Sequence, residues 1–229
     1  MHKLLFVLFC YISIFSLFIN NAVASLIPAV FINELHYDNT GADSNEFIEL
    51  AGTEGVNLQD WTLQLYNGSN GNRYAQLSLS GIFNNQSEHV GFLAFSSVLQ
   101  NGRSDAIALI DNHQLVVQFL SYEGVITALN GDAVGATSID IGVTESSSTP
   151  VGYSLQLAGR GYRYQDFTWQ SAQLATVGKM NAQQQFLASN NPTVKVTEPN
   201  DIGLWLILIM LSPIYLSNQK LINHCRARI

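Results

Sequence analysis

From residue 30 onward apolar and polar side chains alternate, as in Trp61-Thr62-Leu63-Gln64-Leu65 and Tyr153-Ser154-Leu155-Gln156-Leu157. A period of two puts every second side chain on the same face of an extended chain, so these segments read as strands with one buried face. The same pattern marks Val30 to Tyr37, Glu46 to Ala51, Ala75 to Leu79, His89 to Phe95, Ala106 to Ile110 and Leu115 to Tyr122. Turn-forming residues separate them: Asn67-Gly68-Ser69-Asn70-Gly71-Asn72, Gln100-Asn101-Gly102, Asp111-Asn112 and Asn130-Gly131-Asp132. No helical period of useful length breaks the series before Val196. Short strands at this spacing predict an all-β sandwich rather than α/β layers. The Gln- and Asn-rich stretch from Asn181 to Pro192 reads as a linker leading out of the domain, with Phe186 and Leu187 able to dock.

The two ends depart from this alternation. Met1-His2-Lys3 sets a positive charge ahead of an apolar run from Leu4 to Ile19, and Ala22-Val23-Ala24 offers the small residues a signal peptidase needs. This is the layout of a secretory signal peptide, with Ser25 as the expected mature start; Phe9 before Cys10 argues against a lipoprotein. At the far end Thr197-Glu198-Pro199-Asn200 precedes an apolar run from Ile202 to Leu216, followed by Lys220, Arg226 and Arg228. That run falls short of the roughly 20 residues that span a bilayer comfortably, and Pro213 interrupts it. A hydrophobic helix with its basic end kept in the cytoplasm is expected. The predicted organisation is a signal peptide and its helix over 1–24, a β-sandwich domain over 25–187, a linker with a sorting-type motif over 188–201, and a hydrophobic helix with a basic tail over 202–229.

Between these ends the chemistry is narrow. Both cysteines, Cys10 and Cys225, lie in the terminal segments, so the exported part has neither a disulfide framework nor a thiolate metal site. All seventeen acidic residues lie between Ser25 and Asp201, against six of the ten basic ones, so that part is far more negative than the whole-chain charge of −7. Phosphate binding depends on clustered Lys and Arg, so nucleic acid is an unfavoured partner.

Phe31-Ile32-Asn33-Glu34-Leu35-His36-Tyr37-Asp38-Asn39, Asn45-Glu46-Phe47-Ile48-Glu49-Leu50 and Leu58-Gln59-Asp60-Trp61-Thr62-Leu63 together resemble the lamin-tail domain in its secreted bacterial form. Asp105-Ala106-Ile107-Ala108-Leu109-Ile110-Asp111, Val117 to Gly124, Thr149-Pro150-Val151-Gly152 and Asp166-Phe167-Thr168-Trp169 extend the resemblance from about Val30 to Phe186. One departure is Thr176-Val177-Gly178, where a Thr-Pro-Gly turn would be expected. The C-terminal tail resembles the Pro-Glu-Pro sorting signals that an exosortase removes in some Gram-negative bacteria, with Thr197 in place of the first proline. The resemblance implies an immunoglobulin-like β-sandwich serving as a non-catalytic binding or interaction module, at the cell surface or in the extracellular space. In that family the domain is sometimes joined to an extracellular nuclease or phosphatase domain. The partner is then an extracellular or envelope protein or a polysaccharide; the alternatives are an accessory or degenerate component of an extracellular nuclease system, or a structural component of an extracellular matrix.

Candidate chemistry concentrates in one acidic stretch. Asp38, Asn39, Asp43 and Glu46 supply several oxygen donors within one loop, as Ca²⁺ requires, and are the candidate metal ligands, without EF-hand spacing. Glu34, His36 and Asp38 fall on one face if β pairing is regular, and a histidine among acids is expected as a surface residue with a raised pKa. No catalytic residue is assigned, because nucleophile elbow, zincin pair, Walker loop and dinucleotide fingerprint are all missing from the sequence. Trp61, Trp169, Phe47, Phe119 and Phe167 are expected in the core. Tyr66, Tyr122, Tyr162 and Tyr164 adjoin loops, where they either serve recognition or pack over strand ends.

Overall fold

In the computed structural model, which describes residues 30–187, eleven strands and one turn of 3-10 helix follow along the chain. The strands are β1 (Val30–His36), β2 (Phe47–Thr53), β3 (Thr62–Tyr66), β4 (Arg73–Ser78), β5 (Val90–Ser96), β6 (Ala106–Ile110), β7 (Val116–Ser121), β8 (Ile139–Asp140), β9 (Tyr153–Gly161), β10 (Phe167–Leu174) and β11 (Gln184–Phe186), with the helical turn at Tyr164–Asp166. The expected signal peptide, the linker over 188–201 and the hydrophobic tail over 202–229 lie outside the described residues. Among those described, no helix is long and apolar enough to cross a membrane.

The strands form two sheets that pack as a β-sandwich. One runs in the order β10-β9-β1-β2-β5, with β11 added in parallel to the end of β9; the other runs β4-β3-β6-β7-β8. The first seven expected strands begin and end within two residues of β1 to β7, and Ala106 to Ile110 coincides with β6. Ile32, Leu35, Ile48, Leu50, Leu63, Leu65, Ile107, Leu109, Leu120, Leu155 and Leu157 are all buried in one cluster drawn from both sheets. Each such side chain contributes about 1.5–3 kcal/mol of burial. Phe47, Phe119, Phe167 and Trp169 are buried as expected, whereas Trp61 is partly exposed and packs against the cluster.

Two of the stretches read from alternation, β1 and β6, are buried on both faces. In β6 all five residues are buried. The segment 126–136 lies over the outer face of that sheet, where Ile126, Ala128 and Ala133 pack on Tyr66, Ala106, Ala108, Ile110 and Phe119. Strands covered on both faces read as continuous apolar runs, which is what Ala106-Ile107-Ala108-Leu109-Ile110 is.

The other stretch is β1, where the ladder shifts between Ile32 and Glu34: Ile32 stands opposite Leu50 and Glu34 opposite Glu49, leaving Asn33 as the extra residue of a bulge. A regular strand would turn Glu34 and His36 to the same side as Ile32, into the apolar space between the sheets. The bulge moves them to the outer face, with Phe31 and Glu49, and returns Leu35 and Tyr37 to the inside. Beside it, the amide of Ile32 donates across the sandwich to Gln118 Oε1 (2.7 Å).

The outer face so created is covered by the chain after β10. Residues expected to begin the linker are structural: Asn181 is buried, its Nδ2 donates to the carbonyls of Asn33 (3.1 Å) and Leu157 (2.8 Å), and its Oδ1 accepts from Asn33 Nδ2 (3.4 Å). Gln184 Nε2 donates to Asn33 Oδ1 (2.8 Å), and Phe186 packs against Phe31, Phe92 and Phe167. Over 181–187 the chain docks and does not act as a linker: Gln and Asn look solvent-directed in sequence, yet here Asn181 and Gln184 satisfy the backbone and side chain of a bulge. Truncating Asn181 leaves two buried carbonyls without their donor, so Asn181→Ala is expected to cost about 2–4 kcal/mol of stability, read from the urea midpoint.

Candidate functional site

The acidic stretch forms the loop between β1 and β2, and the structure divides its four candidate ligands among different tasks. Asn39 is buried and faces inward: its Oδ1 accepts the Ser44 amide (3.1 Å) and its Nδ2 donates to the carbonyls of Thr40 (3.0 Å) and Ala42 (3.2 Å). Asp43 accepts from the Asn39 amide (3.4 Å) and from Asn101 Nδ2 (3.2 Å), tying the loop to the one that precedes β6. Glu46 accepts the Leu99 amide of that same neighbouring loop. Asp38 keeps its carboxyl beside Asp43, and partial burial followed by that neighbour's charge raises its pKa. Asp38 and Asp43 are thus brought together, while Asn39 is spent on closing the loop. Among the described residues no group of three or more His, Cys, Asp or Glu side chains is placed to hold a metal ion.

His36 is not at the surface. It is buried, with Nδ1 3.0 Å from Glu145 Oε1 and Nε2 3.2 Å from the Ser44 carbonyl and 3.3 Å from Asn39 Oδ1. Both ring nitrogens face acceptors, an arrangement suited to the doubly protonated ring. Burial opposes that charge, but the hydrogen bonds and negative charge of Glu145, with the Ser44 carbonyl, outweigh it and raise the pKa. Glu145 Oε2 also accepts the amides of Tyr37 (2.6 Å) and Asp38 (3.1 Å), so one carboxylate anchors both the ring and the start of the acidic loop. The Glu145 amide in turn donates to the Tyr37 hydroxyl (2.8 Å), and Tyr37 stacks on Tyr122 at 3.9 Å between centroids. Nothing in the Thr144-Glu145-Ser146 sequence signals this partnership, which joins residues more than a hundred positions apart.

Two further carboxyls lie fully buried on the outer face of the first sheet. Glu34 accepts from Ser154 Oγ (2.6 Å), Gln156 Nε2 (3.2 Å), the Thr176 amide (2.8 Å) and Thr176 Oγ1 (2.8 Å). Glu49 accepts from Asn33 Nδ2 (3.0 Å) and the Gly178 amide (2.6 Å). Burial raises the pKa of Glu34. Burial, then the charge of Glu34, pushes Glu49 up to about 8 against the donors that lower it. Each acid takes some of its donors from its own sheet and others, Thr176 for Glu34 and Gly178 for Glu49, from the covering segment, so these acids buckle the segment onto the sheet instead of facing a substrate.

An open cleft of about 510 Å³ lies next to the acidic loop, lined by Asn67, Ser69, Gln100, Arg103 and Ser104. Asp105 organises its floor: one carboxylate oxygen accepts the Gly68 amide (2.6 Å) and the other the Gly102 amide (2.8 Å). Gly68 is required there, because a Cβ would collide with the backbone of Arg103 and Ser104. Asn67 Nδ2 donates to Gln100 Oε1 (2.7 Å), and Tyr74 and Tyr122 hold the backbone of Gln100 through their hydroxyls. Sequence reasoning missed this cleft, although its two Asn-Gly turns were visible. Of the loop tyrosines, Tyr66 and Tyr122 are buried, Tyr164 is partly buried and packs against the core, and Tyr162 is exposed under the Arg163 guanidinium at 4.8 Å.

Compared with known proteins, the chain matches no family model, no curated protein and no solved structure. What the geometry offers is a set of acid and base groups consumed by internal hydrogen bonds, beside one open polar cleft.

Glu34, Glu49 and His36 all bind protons more tightly in the folded protein than in the unfolded chain, so stability is expected to fall as pH rises from about 4.5 toward about 8. The His36 contribution is complete below its unfolded value of about 6.5 and is lost as pH passes its raised folded value. Urea melts across this range test the slope; Glu49→Gln is expected to flatten it, and an unchanged slope in that variant would remove Glu49 as its source.

Proposed function

We propose that this chain is an exported, non-catalytic binding module: a lamin-tail-like, immunoglobulin-like sandwich that engages an extracellular or envelope protein or polysaccharide through its acidic loop end. One observation carries the reading. The histidine and carboxyls that would have to move protons in catalysis are held by the fold, while the cleft between the β3–β4 turn and the loop before β6 stays open and lined by amides, two hydroxyls and a guanidinium. Such a surface offers many hydrogen bonds and little reactivity, as recognition requires. The hydrophobic tail with its Pro-Glu-Pro-like motif supports placement at the cell surface, with membrane contact before any processing. The resemblance to lamin-tail domains supports the same class.

A photo-crosslinking residue at position 103, expressed in an exporting cell, is expected to give a discrete adduct with an envelope protein or polysaccharide that Ser69→Trp, which fills the cleft, reduces at least about tenfold. Incubation with supercoiled DNA and Mg²⁺ is expected to give neither cleavage nor salt-dependent binding; either result would install the nuclease-system reading instead.

Calcium enters this proposal at Asp38 and Asp43, whose carboxyls adjoin. Millimolar Ca²⁺ is expected to raise Tm in the parent and not in Asp43→Asn, and the absence of a shift in the parent would strike calcium from the proposal.

A further inference from the structure

Four Asn-Gly steps occur in the chain: Asn67-Gly68, Asn70-Gly71, Asn101-Gly102 and Asn130-Gly131. At such a step the backbone nitrogen of the glycine can attack the asparagine side-chain carbonyl, because no Cβ obstructs the five-membered ring that forms. The nitrogen must lose its proton and approach Cγ. An N–H already donated to a good acceptor is less acidic and is held in place, most of all when the acceptor is a carboxylate.

Three of the four glycine amides are held in this way. Gly68 donates to Asp105 Oδ1 (2.6 Å), Gly102 to Asp105 Oδ2 (2.8 Å) and Gly71 to the Asn67 carbonyl (2.8 Å). The Gly131 amide has no acceptor among the described residues, although the next two amides do: Asp132 donates to Gln64 Oε1 (3.0 Å) and Ala133 to the Tyr66 hydroxyl (3.3 Å). Asn130 itself is exposed, and its Oδ1 accepts the Arg73 amide (2.7 Å), a contact that polarises the carbonyl toward attack. Asn67 and Asn70 also accept amide hydrogen bonds at Oδ1, so the free glycine nitrogen is what sets Asn130 apart.

We propose that Asn130 is a site of spontaneous conversion to aspartate and isoaspartate, and that Asp105 shields Asn67 and Asn101 from the same reaction. The Gly131 nitrogen gives its proton to water and bonds to Asn130 Cγ; the Cγ–Nδ2 bond breaks and the nitrogen leaves as ammonia. Water then opens the resulting cyclic imide at either carbonyl, giving aspartate or isoaspartate, so the net change is water consumed and ammonia released. The product breaks a tether. Asn130 Nδ2 donates to Asn72 Oδ1 (3.1 Å), and this bond, with Arg73 to Asn130, ties the segment covering the second sheet to the β3–β4 turn that forms one wall of the cleft. A carboxylate there faces an amide oxygen in place of a donor and adds charge beside Asp132; the isoaspartyl form also lengthens the backbone. This inference stands whatever the cleft binds.

The test is a time course of the full-length protein at mildly alkaline pH in ¹⁸O-labelled water, followed by peptide mapping that resolves isoaspartate. Asn130 is expected to convert at least about tenfold faster than Asn67, Asn70 or Asn101, the scale of losing one charge-assisted hydrogen bond. In urea the four rates are expected to converge, because the spread comes from the fold. Asp105→Asn is expected to speed conversion at Asn67 and Asn101 while leaving Asn130 unchanged. Equal native rates, a first conversion at Asn67 or Asn101, or a spread that persists in urea would each overturn the proposal.

Discussion

A carboxylate in a central strand of a sandwich must leave the apolar core or be met by hydrogen-bond donors, and Glu34 does both. The bulge at Asn33 turns it from the space between the sheets to the outer face, where Glu49 already stands opposite. Two acids side by side out of water are tolerable only if enough donors surround them and if protonation relieves their repulsion. Ser154, Gln156, Asn33, Thr176 and the Gly178 amide supply those donors, and the pKa of both acids rises. The covering segment is therefore held by polar bonds at its start and by Phe186 at its end. Without the bulge the outer face would lose Glu34 and the two hydrogen bonds by which Thr176 holds the covering segment to it.

The same logic recurs at the loop end, at shorter range. Glu145 joins His36 to the backbone of Tyr37 and Asp38, and Asp105 joins two glycine turns through one carboxylate. Each is an acid used as a multi-dentate staple on loops rich in glycine and asparagine, in a domain without cysteine. Charge-assisted hydrogen bonds to backbone amides take the place of disulfides here as local constraints on the turns. The result is a rigid rim of polar groups around an open cleft, with acids placed to set its field.

The strand positions were legible because they depend on local pattern: alternation at Thr62 to Leu65 or Tyr153 to Leu157 marks an extended segment wherever the partner strand lies, although the expected solvent face is covered there, with Gln64, Ser154 and Gln156 all buried. Strands β1 and β6 were placed as well as the others, but the covering of their second face was not legible, since it depends on segments 126–136 and 176–186, which are distant in sequence. His36 was expected among acids at the surface, and its real partner, Glu145, carried no signal. The acidic loop was visible as a composition, but the inward turn of Asn39 and the capture of Glu46 by Leu99 depend on loop closure.

Composition and periodicity by themselves determined an all-β chain, cysteine-free between its ends, strongly acidic, with turns at its Asn-Gly steps. Those properties follow from each residue and its near neighbours. The tertiary structure alone decided which acids are buried, which amides they hold, and that Asn181 and Gln184 reach back to the bulge at Asn33. The reason is that a buried polar group is defined by its partners, and those of Glu34 and Glu49 lie from sixteen to more than a hundred and forty residues away.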